Sequence, residues 1–152
     1  MIYRLVIFMA LNFGALAIGG LFTSEGVASE WYSGLSKAPW TPPGWVFGTA
    51  WTTIMILFSI YLAFLWSDVK DKRLLVVLYS VQWILNVSWN PIFFYYHNTV
   101  IGLILITCLT LLVAFLLAFY WHTLKLKSLL IAPYLIWLLI ATSLNAFIVF
   151  KN

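Results

Sequence analysis

Five long apolar runs divide this chain, at about residues 3–22, 45–66, 74–96, 99–121 and 129–150. As a helix rising 1.5 Å per residue, each is long enough to cross a hydrocarbon core of about 30 Å. The pattern predicts an all-α membrane protein. Residues 1–152 form a single domain, a five-helix transmembrane bundle, with residues 23–44 as a loop between the first two helices. Inside the runs the polar and small residues are not scattered. In the second run Gly44, Gly48, Trp51, Thr52 and Met55 fall on one helical face. Gln82, Asn86, Asn90 and Phe93, with Trp89 beside them, share a face of the third. Trp137, Ala141, Leu144, Asn145 and Ile148 share one of the fifth. Amides are costly in lipid unless they meet a partner or a cavity, so these faces point into the bundle. The second helix leaves the loop, while the third and fifth run towards it. Most of these residues therefore occupy the half of the bundle nearest the loop.

That loop is not an ordinary polar connection. Between Glu30 and Trp45 it carries Trp31, Tyr32, Trp40, Pro39, Pro42 and Pro43. Prolines limit its freedom before folding. Thr41-Pro42-Pro43 suggests a helix entry with Thr41 as N-cap. The stretch is expected to form a semi-rigid aromatic lid, with Trp31, Tyr32, Trp40, Pro43 and Gly44 at the mouth of a pocket walled by the three inward faces. Elsewhere, the first run is read as a retained helix rather than a signal peptide. It is long for a signal core and contains Asn12, Gly14, Gly19 and Gly20. Ala10 with Gly14, and Ala15 with Gly19, allow close helix approach, as does Gly102. They serve internal packing or a symmetric homodimer. Pro91 should kink the third helix near Val87, whose carbonyl loses its partner.

Composition sharpens the class. The chain is 64% hydrophobic and 8% charged, far from soluble averages. Arg4, Lys70, Lys72, Arg73, Lys125 and Lys127 lie at one end of the bundle, against Lys37 and Lys151 at the other. That asymmetry places the N-terminus in the cytoplasm and the loop outside, for a bacterial cytoplasmic membrane. The net charge of +4 is spread over helix ends and is not a nucleic-acid signal. No Asp, Glu, Lys or Arg falls within an apolar run, apart from Arg4 at the very start of the first, which counts against ion-coupled transport. No nucleophile–base pair or paired carboxylates suggest hydrolysis. Cys108 is alone, and His97 and His122 lie at opposite ends, so no metal site is expected.

Three ordered motifs carry a resemblance. They are Trp31-Tyr32-x-x-Leu35-x-Lys37-x-Pro39-Trp40-x-Pro42-Pro43, then Gln82-Trp83-x-Leu85-Asn86-x-x-Trp89-x-Pro91, then Pro133-Tyr134-x-x-Trp137-x-x-x-Ala141-x-x-Leu144-Asn145. Together they resemble the tryptophan-rich sensory protein / translocator protein family, also known as peripheral-type benzodiazepine receptors. The resemblance implies a receptor or sensor for porphyrins such as protoporphyrin, for haem, and for other flat apolar ligands. It needs no resident cofactor. It matches Trp51 and Trp137 to tryptophans that line the family's ligand pocket. It also leaves open two other functions: porphyrin breakdown driven by light or an oxidant, with Trp51 and Trp137 as catalytic candidates, and porphyrin or lipid transport. The family's sterol-recognition pattern needs a Tyr where this chain has Phe147, so no sterol site is expected.

Overall fold

The computed structural model describes residues 2–152 and is helical almost throughout, with no strand among the described residues. In order come α1 (Ile2–Val27), the short α2 (Glu30–Gly34), α3 (Gly44–Asp68) and α4 (Lys72–Asn90). A π turn (Pro91–Tyr95) extends α4, and α5 follows (Thr99–Phe119). Then come α6 (Trp121–Leu124), a 3-10 segment (Lys125–Ile131) and α7 (Ala132–Lys151). Four segments are long and apolar enough to cross a membrane: α1, α3, α5 and the stretch Trp121–Lys151. The remaining long helix, α4, carries Lys72, Arg73, Gln82, Asn86 and Asn90, which dilute its apolar character.

Local chemistry explains where the observed elements depart from the expected ones. The first helix runs five residues further than the apolar run. Thr23 Oγ1 and Ser24 Oγ donate to the carbonyls of Gly19 and Gly20 one turn back, so these polar residues continue the helix. Ser29 then caps α2, its Oγ accepting from the Tyr32 amide. Thr41 does not cap α3. Both prolines precede the first helical residue, Pro43 takes the cap position, and the Thr41 hydroxyl closes a turn on the Ala38 carbonyl instead. Pro91 changes the winding of α4 rather than simply bending it. Proline has no N–H to offer Val87, and the wider turn is closed by Tyr96 N–H to the Pro91 carbonyl at 3.0 Å.

The helices form an incomplete ring. α1 packs on α3 and α4, α4 on α5, and α5 on α7, while α7 barely touches α3. The ring closes at one end, where the 3-10 segment lies on α3. α3 and α7 are also offset along their axes: Phe47, near the start of α3, meets Trp137, and Trp51 meets Tyr134. Above Trp137 the loop takes the place of α3 against α7. Ser36 N–H donates to Asn152 Oδ1 at 2.8 Å, and Trp40 Nε1 donates to Ser143 Oγ at 3.1 Å.

With charges at the ends, buried amides and hydroxyls tie the helices together. Asn12 accepts from the Tyr79 hydroxyl at 2.8 Å and donates to Ser59 Oγ at 2.9 Å, joining α1, α3 and α4. Thr110 and Thr142 share a 2.9 Å bond between α5 and α7. Each such bond contributes roughly 0.6–2 kcal/mol in a membrane setting. Ala15, Gly19 and Gly102 are buried, Gly19 against Asn90 and Gly102 against Asn145 and Phe93. Of the five residues taken above to allow close helix approach, only Ala10 and Gly14 remain on the outer side.

Candidate functional site

The structure sorts the expected pocket residues into two linked clusters and a rim. The upper cluster lies beneath the loop. Trp31 meets Phe93 edge-on at 5.7 Å and stacks on His97 at 4.1 Å, while Tyr32 packs on Phe94 at 5.6 Å. Trp89 stacks on Phe93 at 5.1 Å. Its indole N–H donates to Asn145 Oδ1 at 3.1 Å, and Asn145 Nδ2 donates to the Thr99 carbonyl at 2.9 Å. Leu35 and Ile148 complete the packing. The space expected beneath the lid is thus occupied by the lid's own side chains.

The lower cluster lies between α3, α4 and α7. Trp51 is half-buried and meets the Tyr134 ring edge-on at 5.9 Å. Tyr134 accepts at its hydroxyl from Gln82 Nε2 at 2.8 Å. Trp137 is buried, with Phe47 edge-on at 5.2 Å. Asn86 and Leu144 are buried between the clusters, and Ala141 is half-buried. Trp137 also borders a groove of about 380 Å³ between α3 and α7, whose other walls include Trp45, Thr49, Ala50 and Pro133. Open space next to this cluster therefore lies at the side of the bundle, in the gap where α3 and α7 part.

The rim residues are Trp40, Pro43, Gly44 and Gly48, all exposed. A side chain at Gly44 or Gly48 would meet nothing within 4 Å, so these glycines flank open space. Trp40 lies across α7, edge-on to Phe147 at 5.5 Å. Lys37 places its ammonium 4.6 Å from the centre of the Tyr32 ring. Burial pushes the Tyr32 phenol above its ordinary pKa, so it stays neutral beside that cation.

Two polar atoms in the lower cluster stand out. Gln82 Oε1 and Trp137 Nε1 are buried and have no hydrogen-bond partner. One is an acceptor and the other a donor, and both belong to residues the sequence pattern places on inward faces. Phe47, Phe94, Tyr134 and His97 also build the site, although the pattern of inward faces does not select them. Tyr134 has a signal in the sequence, since it lies within the motif that contains Trp137. Phe94 sits in the run Phe93-Phe94-Tyr95-Tyr96, which looks like an interfacial belt.

Apolar spanning helices, buried interhelical amides and a tryptophan-rich loop seated on an aromatic cluster define an integral membrane protein. Residues 6–150 match the TspO/MBR family, and the chain belongs to it, as its three motifs lead one to expect. It is 37% identical over 136 residues to Tryptophan-rich protein TspO of Archaeoglobus fulgidus, across 88% of this chain and 87% of that one. It is 34% identical over 139 residues to Protein CrtK of Rhodobacter capsulatus, across 90% and 87%. With the Translocator protein of Homo sapiens it shares 30% identity over 132 residues, across 84% and 78%.

Proposed function

We propose that the chain is a membrane receptor or sensor that binds porphyrins, protoporphyrin and haem among them, and other flat apolar ligands. The site is the aromatic cluster between α3, α4, α7 and the loop. The observation that carries this reading is that Gln82 Oε1 and Trp137 Nε1 are both buried without a partner among edge-on aromatic rings. Leaving a buried polar group unpaired costs about 1–3 kcal/mol, which a ligand group recovers on binding. Protonated carboxyl groups of a ligand offer donors of the kind Gln82 Oε1 lacks and acceptors of the kind Trp137 Nε1 lacks. The flat macrocycle suits the indole and phenyl faces, because offset stacking favours aromatic ligands. A second carboxylate suits Lys37 at the rim. Titration of the purified protein with protoporphyrin in darkness tests the reading. Saturable quenching of tryptophan fluorescence is expected, and its absence would refute it.

The same reading takes α4 as a fifth span. With its π turn it covers Lys72–Tyr95, about 36 Å at 1.5 Å per residue, and Gln82 and Asn86 face the bundle rather than lipid. The six cations at the Arg4 end set that end in the bacterial cytoplasm. A cysteine replacing Ser36 should then react with an impermeant reagent on intact cells, and one replacing Asp71 should not. The reverse labelling would overturn the orientation. Self-association as a symmetric dimer through the face holding Ala10 and Gly14 belongs to the same reading. A monomeric mass in lipid nanodiscs would count against it.

One observation favours a second reading, in which bound porphyrin is broken down under light or by an oxidant. Trp51 lies edge-on to Tyr134, whose hydroxyl is hydrogen-bonded to Gln82. An indole that gives up an electron thus has an oxidisable phenol as its neighbour.

A further inference from the structure

We propose that a second groove, on the opposite side of the bundle between α1 and α4, binds an anionic glycerophospholipid. Its acyl chain lies in the groove and its phosphate sits between Arg4 and Lys72. The groove has a volume of about 680 Å³, within the range of sites that take small molecules. Its walls are almost wholly apolar, with Phe8, Leu11, Trp66, Leu75, Trp83 and Ile84 among them. From Arg4 to Leu11 it runs about 10 Å along α1, at 1.5 Å per residue, so it lies within one leaflet. Its depth is sealed by Trp83, whose indole N–H is spent on the Leu11 carbonyl at 3.0 Å. Apart from the Ser80 hydroxyl, its walls offer nothing to a polar ligand.

The mouth is different. Arg4 lines it, donating from Nη1 to Ser67 Oγ at 2.7 Å and from Nε to the Tyr3 hydroxyl at 2.9 Å. The Nη2 edge of the guanidinium remains for another acceptor. Lys72 is held on the same last turn of α3, bonded to the Trp66 and Val69 carbonyls, with its ammonium 5.7 Å from the centre of the Trp66 ring. The two nearby carboxylates are engaged elsewhere. Asp68 pairs with Lys127 at 3.9 Å, the only ion pair among the described residues, and Asp71 caps α4 by accepting from the Leu74 amide at 3.0 Å. Arg4 at the open end of the apolar trough, with Lys72 beside its Trp66 wall and neither cation held by an acidic partner, matches a phosphodiester above a hydrocarbon chain.

The test uses the full chain, stripped of lipid in mild detergent. Phosphatidylglycerol and phosphatidylcholine with identical oleoyl chains are added, and native mass spectrometry counts the lipid bound. The two cations together predict a preference of roughly thirtyfold for phosphatidylglycerol. Arg4→Gln alone, which spares the Lys72 cap on α3, should lower the preference about fivefold. Arg4→Gln with Lys72→Gln should abolish it while phosphatidylcholine still binds. Ile84→Trp, at an exposed wall position, should reduce the binding of both lipids. Equal binding of the two lipids by the unmodified protein would overturn the proposal. So would a preference that survives both charge substitutions, binding indifferent to Ile84→Trp, or a dimer that carries no lipid.

Discussion

Gly26→Val destabilises the folded chain by about 1–3 kcal/mol, the usual range for overpacking a filled interior. Gly26 is buried at the end of α1, and a Cβ there would overlap the Phe94 ring. Its φ is negative, so the need is for space and not for a left-handed backbone. Phe94 has nowhere to retreat: Tyr32, Trp89 and Phe93 surround it at 4.9–5.7 Å. The substitution therefore strains the upper cluster and unseats the loop with it. Thermal unfolding in detergent reads the stability, and Trp31 exposure reads the loop. Gly14→Ala supplies the contrast. Nothing lies within 4 Å of its added carbon, so the gain in helix propensity should leave the fold unharmed or stabilise it by up to about 1 kcal/mol. Equal loss at both positions would show that glycine is needed in α1 for some reason other than the Phe94 packing.

The second large effect separates binding from chemistry. Trp137→Phe removes an indole N–H that has no partner in the ligand-free protein. The free protein should lose little stability, because the buried donor that costs energy goes with the apolar area that the smaller ring gives up. Affinity for protoporphyrin should nonetheless fall, about tenfold for every ~1.4 kcal/mol by which the smaller ring weakens binding. Trp51→Phe should lower affinity less, since Trp51 is only half-buried and the ring face survives. Under the breakdown reading the pattern differs. Phenylalanine is far harder to oxidise than tryptophan, so both substitutions should abolish light-dependent loss of the porphyrin band while binding persists. The receptor reading expects no such protein-dependent loss in the wild type. Porphyrin absorbance followed under illumination, at saturating protein, distinguishes the two.

Much of this architecture was legible in the sequence. Helix positions followed from apolar runs, because a bilayer imposes both length and composition. The inward placement of Gln82, Asn86 and Asn145 followed from the cost of amides in lipid, and all three are buried. The extension of α1 was not legible, because it depends on Thr23 and Ser24 turning their hydroxyls back onto the helix. Nor was the cap of α3, where Thr41 had a closer acceptor in Ala38. The axial offset of α3 and α7 was the more consequential gap. It arises from which rings interdigitate, Phe47 with Trp137 and Trp51 with Tyr134, and no single-chain periodicity encodes that choice. Because of it the loop, and not α3, covers the upper half of α7. The residues expected to wall one cavity divide into a filled upper cluster and a lower one beside the lateral groove.

The central claim, that ligand meets the unpartnered atoms of the lower cluster, is tested most directly by the indole N–H resonances of the nine tryptophans. With the protein labelled with nitrogen-15 in micelles, protoporphyrin is added in darkness and each assigned resonance is followed. The account predicts that the Trp137 resonance moves as its free N–H gains an acceptor. The Trp83 resonance, whose proton is already held by the Leu11 carbonyl in the other groove, should stay in place. Movement of Trp83 with Trp137 unchanged would contradict the account and put the porphyrin on the far side of the bundle.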